Sequence, residues 1–225
     1  MAPSEAADDG PPALSPARLN LLVDCERCFW VRMQRGETRP EEAFPSVVSG
    51  VEREVRAAFE RHREAGTLPP ALRTARLDAT LVDDDAFLSA CRTWQRDPTV
   101  TDPDTGAVLR GAMDDLLELA DGAFVPLDYK THGTPPETVY PGYQRQLECY
   151  GHLLAENGHR TAPFGLLLYV YPTGDGPITF DTELRWVRLR PGRPRALMRR
   201  AVRVLAGSVP EYSEDCEFCS WAETA

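Results

Sequence analysis

Val125-Pro126-Leu127-Asp128-Tyr129-Lys130-Thr131 holds the only lysine of a 225-residue chain that otherwise uses 24 arginines. Read as a strand, it turns Asp128 and Lys130 to one face and Tyr129 to the other, because side chains alternate along extended backbone. A carboxylate and an ammonium then share a surface. Arginine would not do the same work: an ammonium is a compact point charge whose pKa can move, whereas a guanidinium is a wide, permanently charged fork. Lys130 is therefore the first candidate functional residue, against the alternative of an ordinary surface ion pair with Asp128.

Upstream, the residues from Val108 to Leu119 read as a second strand, and Asp121-Gly122 is a hairpin turn signal between the two. Antiparallel pairing brings Asp114 and Asp128 together at one end of the hairpin. Two such hard oxygen ligands suit Mg²⁺ or Mn²⁺, with waters left for a substrate phosphate. Downstream, Tyr143 to Leu154 follows a helical pattern in which Gln146 and Tyr150, four apart, lie on one face while Leu147 and Leu154 supply the buried side.

Gly111-x-x-Asp114, Asp128-Tyr129-Lys130 and Gln146-x-x-x-Tyr150, in that order on strand, strand and helix, resemble the motif series of the PD-(D/E)xK nuclease superfamily. The likeness is to its RecB-like branch in particular, which includes the CRISPR-associated Cas-four-type exonucleases. It spans roughly residues 14–221. The resemblance implies an α/β restriction-endonuclease-like core, a central mixed β-sheet flanked by helices. It also implies that Asp114 and Asp128 hold the metal, that Lys130 orients or activates the attacking water, and that Gln146 and Tyr150 help to place substrate or the lysine.

RecB-like enzymes usually carry a histidine ligand four residues after a glycine on an early helix, and here Gly50 is followed at that offset by Glu54. A carboxylate is the harder ligand of the two, so Glu54 is the third metal-ligand candidate, with Glu52 as a second choice. Both also fit the solvated face of an amphipathic helix. Val47, Val48, Val51, Val55, Ala58 and Phe59 form its apolar stripe, and Glu52, Arg53, Arg56 and Glu60 the other side.

Four of the six cysteines fall in two Cys-x-x-Cys pairs near opposite ends of the sequence, Cys25/Cys28 and Cys216/Cys219, each spaced to chelate one metal. The long interval makes the site a clasp joining the N- and C-terminal segments. Thiolates suit either Zn²⁺ or a 4Fe-4S cluster. The resemblance favours the cluster, although the relatives usually supply one N-terminal and three C-terminal cysteines. The segment Met1 to Pro12 is acidic and rich in Pro, Ala and Gly, without the pattern of a signal peptide. A cytoplasmic protein with reduced thiols is expected, rather than disulfides. Cys91 and Cys149, in apolar surroundings, are expected in the core.

Residues 1–13 read as a disordered tail and 14–225 as one nuclease-like domain. Ser15-Pro16 is an N-cap and first-turn pair opening a helical region that runs to about Glu64. Two further strands are expected, Phe164 to Tyr171, nearly all apolar and so central, and Ile178 to Leu189, which alternates; a helix from Pro194 to Leu205 follows. No apolar run approaches membrane-spanning length, which argues for a soluble protein. The net charge of −10 opposes nucleic-acid binding, but from Arg185 to Arg203 there are eight arginines and no acid. Arg193, Arg195 and Arg199 are the candidates for nucleic-acid contact. The reading is a metal-dependent, exonuclease-like enzyme hydrolysing phosphodiester bonds in DNA, single-stranded or with free ends. Its alternatives are a catalytically inactive binding or accessory module of the same fold, and a zinc-stabilised interaction protein.

Overall fold

The computed structural model describes residues 10–40, 46–93, 98–174 and 179–220. In chain order the elements are β1 (Ala13–Leu14), α1 (Pro16–Asp24), α2 (Glu26–Arg35), α3 (Ser46–Glu64), α4 (Pro70–Arg73), β2 (Ala79–Leu81) and α5 (Asp85–Cys91). There follow β3 (Thr99–Thr101), β4 (Val108–Arg110), β5 (Asp115–Leu119), β6 (Phe124–Thr131), α6 (Pro141–Glu156), β7 (Phe164–Pro172), β8 (Phe180–Arg188) and α7 (Gly192–Ala206). The strands form a mixed five-stranded sheet, β2-β5-β6-β7-β8, and a small sheet, β1-β4-β3. Only β6 and β7 pair in parallel in the large sheet, and α6 makes the crossover that such pairing requires.

The sheet is covered on both faces, and its strands alternate accordingly. Leu166, Leu168 and Val170 of β7 join Leu127 and Tyr129 of β6 in a core beneath Phe59 of α3. Leu167 and Tyr169 face the opposite way, into a core built with Leu147, Leu153 and Leu154 of α6, Leu19 and Leu22 of α1, and Met198 of α7. β7 is thus buried on both sides, which accounts for its continuous apolar run. Cys91 and Cys149 pack in this second core, and burial pushes both thiols up to about 12. Among the described residues, no helix is long and apolar enough to cross a membrane.

Three sequence expectations change. The segment 108–119 is two strands in two sheets, β4 and β5, broken at Gly111. There a Cβ would stand 3.1 Å from the Tyr150 ring and 3.2 Å from Leu153, so the chain passes too close to α6 to continue flat. The N-terminal helical region is three helices. Its first break is at Cys25, whose extended backbone (φ −163°) ends α1 and whose sulfur accepts from Cys28 N–H, capping α2. Ala13, which was placed in the tail, pairs with Val108 in β1. The Ser15 cap stands, its hydroxyl accepting from Arg18 N–H at 3.2 Å. Ile178 and the side chain of Val47 lie outside the described residues.

Candidate active site

The hairpin register sets the site. Asp115 lies opposite Leu127, so the next step past the end of the ladder brings Asp114 to Asp128, and Asp114 Oδ2 accepts from Tyr129 N–H at 2.9 Å. Asp128, only 1 % exposed, points to the α6 face with Lys130. The Lys130 ammonium stands 2.5 Å from Asp128 Oδ2 and 4.7 Å from the centre of the Tyr143 ring, a cation–π contact that holds it from a second side. Burial pushes the Asp128 carboxyl up to about 7. Lys130 opposes that shift and the nearby Asp114 adds to it.

α6 places the remaining pair. Gln146 and Tyr150, one turn apart, are joined by a hydrogen bond from Gln146 Nε2 to the Tyr150 hydroxyl at 2.6 Å. Burial, and then the Asp128 charge, hold that phenol well above its ordinary range, so it keeps its proton. Asp114, Asp128, Lys130, Gln146 and Tyr150 line one cavity of about 210 Å³. From α3 the same cavity takes Glu52 and Arg56 but not Glu54, although all three are exposed. Arg56 pairs with Asp114 Oδ1 at 3.1 Å from a half-open position, its side chain 44 % exposed.

These residues fit a hard divalent cation. Two carboxylates converge, one of them so deeply buried that its proton affinity is raised despite Lys130, and a third acid lines the cavity. A buried carboxylate that binds a proton so readily is one whose negative charge a cation would stabilise.

Sequence reasoning missed the network behind the site. Asp115, fully buried, receives Arg63 NH2 at 2.6 and 2.8 Å on its two oxygens, Arg92 NH2 at 3.1 Å and the Tyr129 hydroxyl at 2.7 Å. Arg92 Nε also donates to the Asp114 carbonyl at 3.0 Å, so the network grips the backbone that presents this candidate ligand. Glu60 joins both arginines, at 3.2 Å to Arg63 and 2.7 Å to Arg92. An acid opening the apolar strand Asp115-Leu116-Leu117 was the available signal.

The α7 arginines do not reach this cavity. Arg193 pairs with Glu148 at 3.3 Å, Arg195 with Glu156 at 2.6 Å, and Arg199 with buried Asp102 at 3.0 Å and with Asp104. They tie α7 to α6 and to the β3–β4 turn.

The four clasp cysteines do come together. All are buried, and their sulfurs lie within 4.8 Å of one another, with Cys25–Cys219 at 3.5 Å and Cys28–Cys216 at 3.7 Å. Arg39 NH2 donates to Cys216 Sγ at 3.4 Å and Ser213 N–H to Cys219 Sγ at 3.4 Å. Such donors stabilise sulfur in its charged form, as a metal-bound thiolate requires. The group fits a thiophilic ion.

The solved structure of SSO0001 is similar to this chain at 13 % identity and a TM-score of 0.45, over 99 % of this chain and 88 % of that one. No curated protein matches. The family model described as the PD-(D/E)XK nuclease superfamily matches residues 34–224. That span runs through Asp114, Asp128, Lys130 and the second cysteine pair, and with most of the sequence matched the chain belongs to the PD-(D/E)XK nuclease superfamily.

Proposed function

We propose that the chain is a Mg²⁺- or Mn²⁺-dependent nuclease of the RecB-like branch that hydrolyses phosphodiester bonds in DNA, working from free ends. The observation that carries this reading is the convergence of Asp114, Asp128 and Lys130 with Gln146 and Tyr150 on one cavity. Asp114 and Asp128 would hold the cation, with Glu52, rather than Glu54, as the third carboxylate. When bound, such an ion polarises a phosphoryl oxygen and makes its water a stronger acid. Lys130, fixed between Asp128 and the Tyr143 ring, offers its ammonium to the charge that builds on the scissile phosphate. Tyr150, held protonated, and the Gln146 amide are hydrogen-bond donors at the cavity wall, suited to orient a phosphate oxygen.

The cysteine clasp is proposed to hold one structural Zn²⁺. Support comes from spacing. Four sulfurs around a single ion at about 2.3 Å lie about 3.8 Å apart, which suits contacts of 3.5 and 3.7 Å. In a 4Fe-4S cluster each thiolate sits on a different corner iron, and the sulfurs spread wider. On these two short contacts, within a set of sulfurs spanning up to 4.8 Å, zinc is preferred to the cluster that the resemblance implies.

One observation favours an inactive, nucleic-acid-binding module: Arg56 already occupies Asp114 Oδ1. Cleavage of end-labelled single- and double-stranded DNA in Mg²⁺ or Mn²⁺, and its loss in Asp128→Asn, tests the enzyme reading. Binding without cleavage in either metal would support the module.

A further inference from the structure

A second, larger cavity of about 590 Å³ borders the metal site, sharing Ala112, Gln146 and Tyr150 with it. Its size is in the range that holds a whole small ligand, roughly 300–1,000 Å³. The metal cavity mixes Glu52, Asp114 and Asp128 with Arg56 and Lys130, whereas this one has Arg18 and Arg110 and no acid in its lining, in a chain of net charge −10.

Arg110 ends β4, immediately before Gly111, and its Nε is buried without a hydrogen-bond partner among the described residues. A buried donor left without an acceptor is costly, and Nε is such a donor although Arg110 as a whole is only half-buried. An anion entering the cavity would supply the acceptor, with the charge-assisted geometry that arginine provides. Arg18, on the first turn of α1, is tethered by donation from NH1 to the Ala13 carbonyl at 2.6 Å. The walls between the two arginines are apolar, with Leu14, Pro16 and Ala17 on one side and the Tyr150 ring at the boundary with the metal site. A ligand with a phosphate for the arginines and a flat, weakly polar body for those walls is a nucleotide.

We propose that this cavity binds one unpaired nucleotide of the strand being cut, next to the scissile phosphate, with Arg110 as its principal phosphate ligand and Arg18 as the second. The proposal rests on the nuclease reading of the neighbouring carboxylates. It deepens that reading by assigning substrate as a single strand entering beside α1. A base still paired to its complement would bring a second nucleotide that a cavity of this size does not hold.

The test is fluorescence anisotropy with a 5′-labelled oligo(dT) 12-mer, in buffer without added divalent cation so that nothing is cleaved, repeated over a range of salt concentrations. Arg110→Gln should weaken binding about tenfold and lower the slope of log affinity against log salt by about 0.7, the share of one phosphate contact on a single strand. Arg110→Lys should keep the slope. An unlabelled duplex of dT and dA should compete at least tenfold more weakly than the single strand. Arg18→Gln reads the same slope change if Arg110→Gln fails to fold. Folded arginine variants with wild-type affinity and slope would overturn the proposal, as would a duplex that competes equally or a wild-type protein that binds no oligo(dT). The nuclease reading is scored separately by cleavage in Mn²⁺. Arginine-dependent binding without cleavage keeps the cavity and rejects the enzyme; cleavage with unchanged Arg110→Gln binding does the opposite.

Discussion

Replacing Arg63 by Met leaves a side chain of similar length in the core and removes only the guanidinium, which makes it a direct test of the network behind the active site. Arg63 is 3 % exposed and Asp115 fully buried, and the pair is bidentate at 2.6 and 2.8 Å. Breaking a buried pair from one side costs about 3–5 kcal/mol, because the surviving charge loses its partner. Asp115 keeps Arg92 and the Tyr129 hydroxyl, which places the expected loss near the lower end, about 3 kcal/mol. In a domain of this length that corresponds to a fall in Tm of about 6–12 °C. Urea unfolding followed by circular dichroism would measure it. The double variant Arg63→Met/Asp115→Leu removes both charges, so it should be less destabilised than the sum of its singles by 1 kcal/mol or more. A single-variant loss below about 1 kcal/mol, or additivity in the double variant, would refute a coupled network here.

Three further outcomes are expected. Lys130→Arg keeps the charge but forces a wider fork between Asp128 and Tyr143, so kcat for DNA cleavage should fall on the order of a hundredfold; wild-type turnover would remove Lys130 from the mechanism. Purified protein should be colourless and carry about one zinc per chain, and Cys216→Ser should lose that zinc and lower the melting temperature of the whole domain. A brown, iron-containing protein would reject zinc, and a metal-free protein with unchanged melting in Cys216→Ser would reject the clasp. Burial holds the His152 imidazole below its ordinary range, against the pull of Glu156. The unfolded chain thus takes up a proton that the fold resists, so the stability linked to His152 is complete above about pH 6.5 and declines as pH falls below it. His152→Gln should flatten that part of the curve of Tm against pH between 7 and 5, and an unchanged slope would refute it.

The parts of the fold legible in the sequence are those set by local pattern. The Asp121-Gly122 turn, with Gly122 at φ +78°, fixes the hairpin, and the hairpin fixes the meeting of Asp114 and Asp128. Helical spacing fixes Gln146 beside Tyr150. What was not legible depends on contacts far apart in sequence. The break at Gly111 arises because α6 lies against it, and no propensity within 108–119 signals that. The choice between Glu52 and Glu54 turns on how α3 is rotated against the sheet, which Val55 and Phe59 decide by packing. Arg193, Arg195 and Arg199 look like a basic face in one dimension, and only the positions of Asp102, Glu148 and Glu156 show them in ion pairs. Cys25 was legible as a candidate ligand, but not as the residue that ends one helix and caps the next.

Asp114 and Asp128 are proposed to form a divalent-metal site for phosphodiester hydrolysis. The most direct measurement follows end-labelled single-stranded DNA with the wild-type chain and with Asp128→Asn, each in Mn²⁺ and in buffer without divalent cation. The wild-type chain should cleave in Mn²⁺ alone, and Asp128→Asn should not cleave although it folds and binds the same oligonucleotide. Equal cleavage by both proteins in Mn²⁺, or wild-type cleavage without a divalent ion, would contradict this assignment.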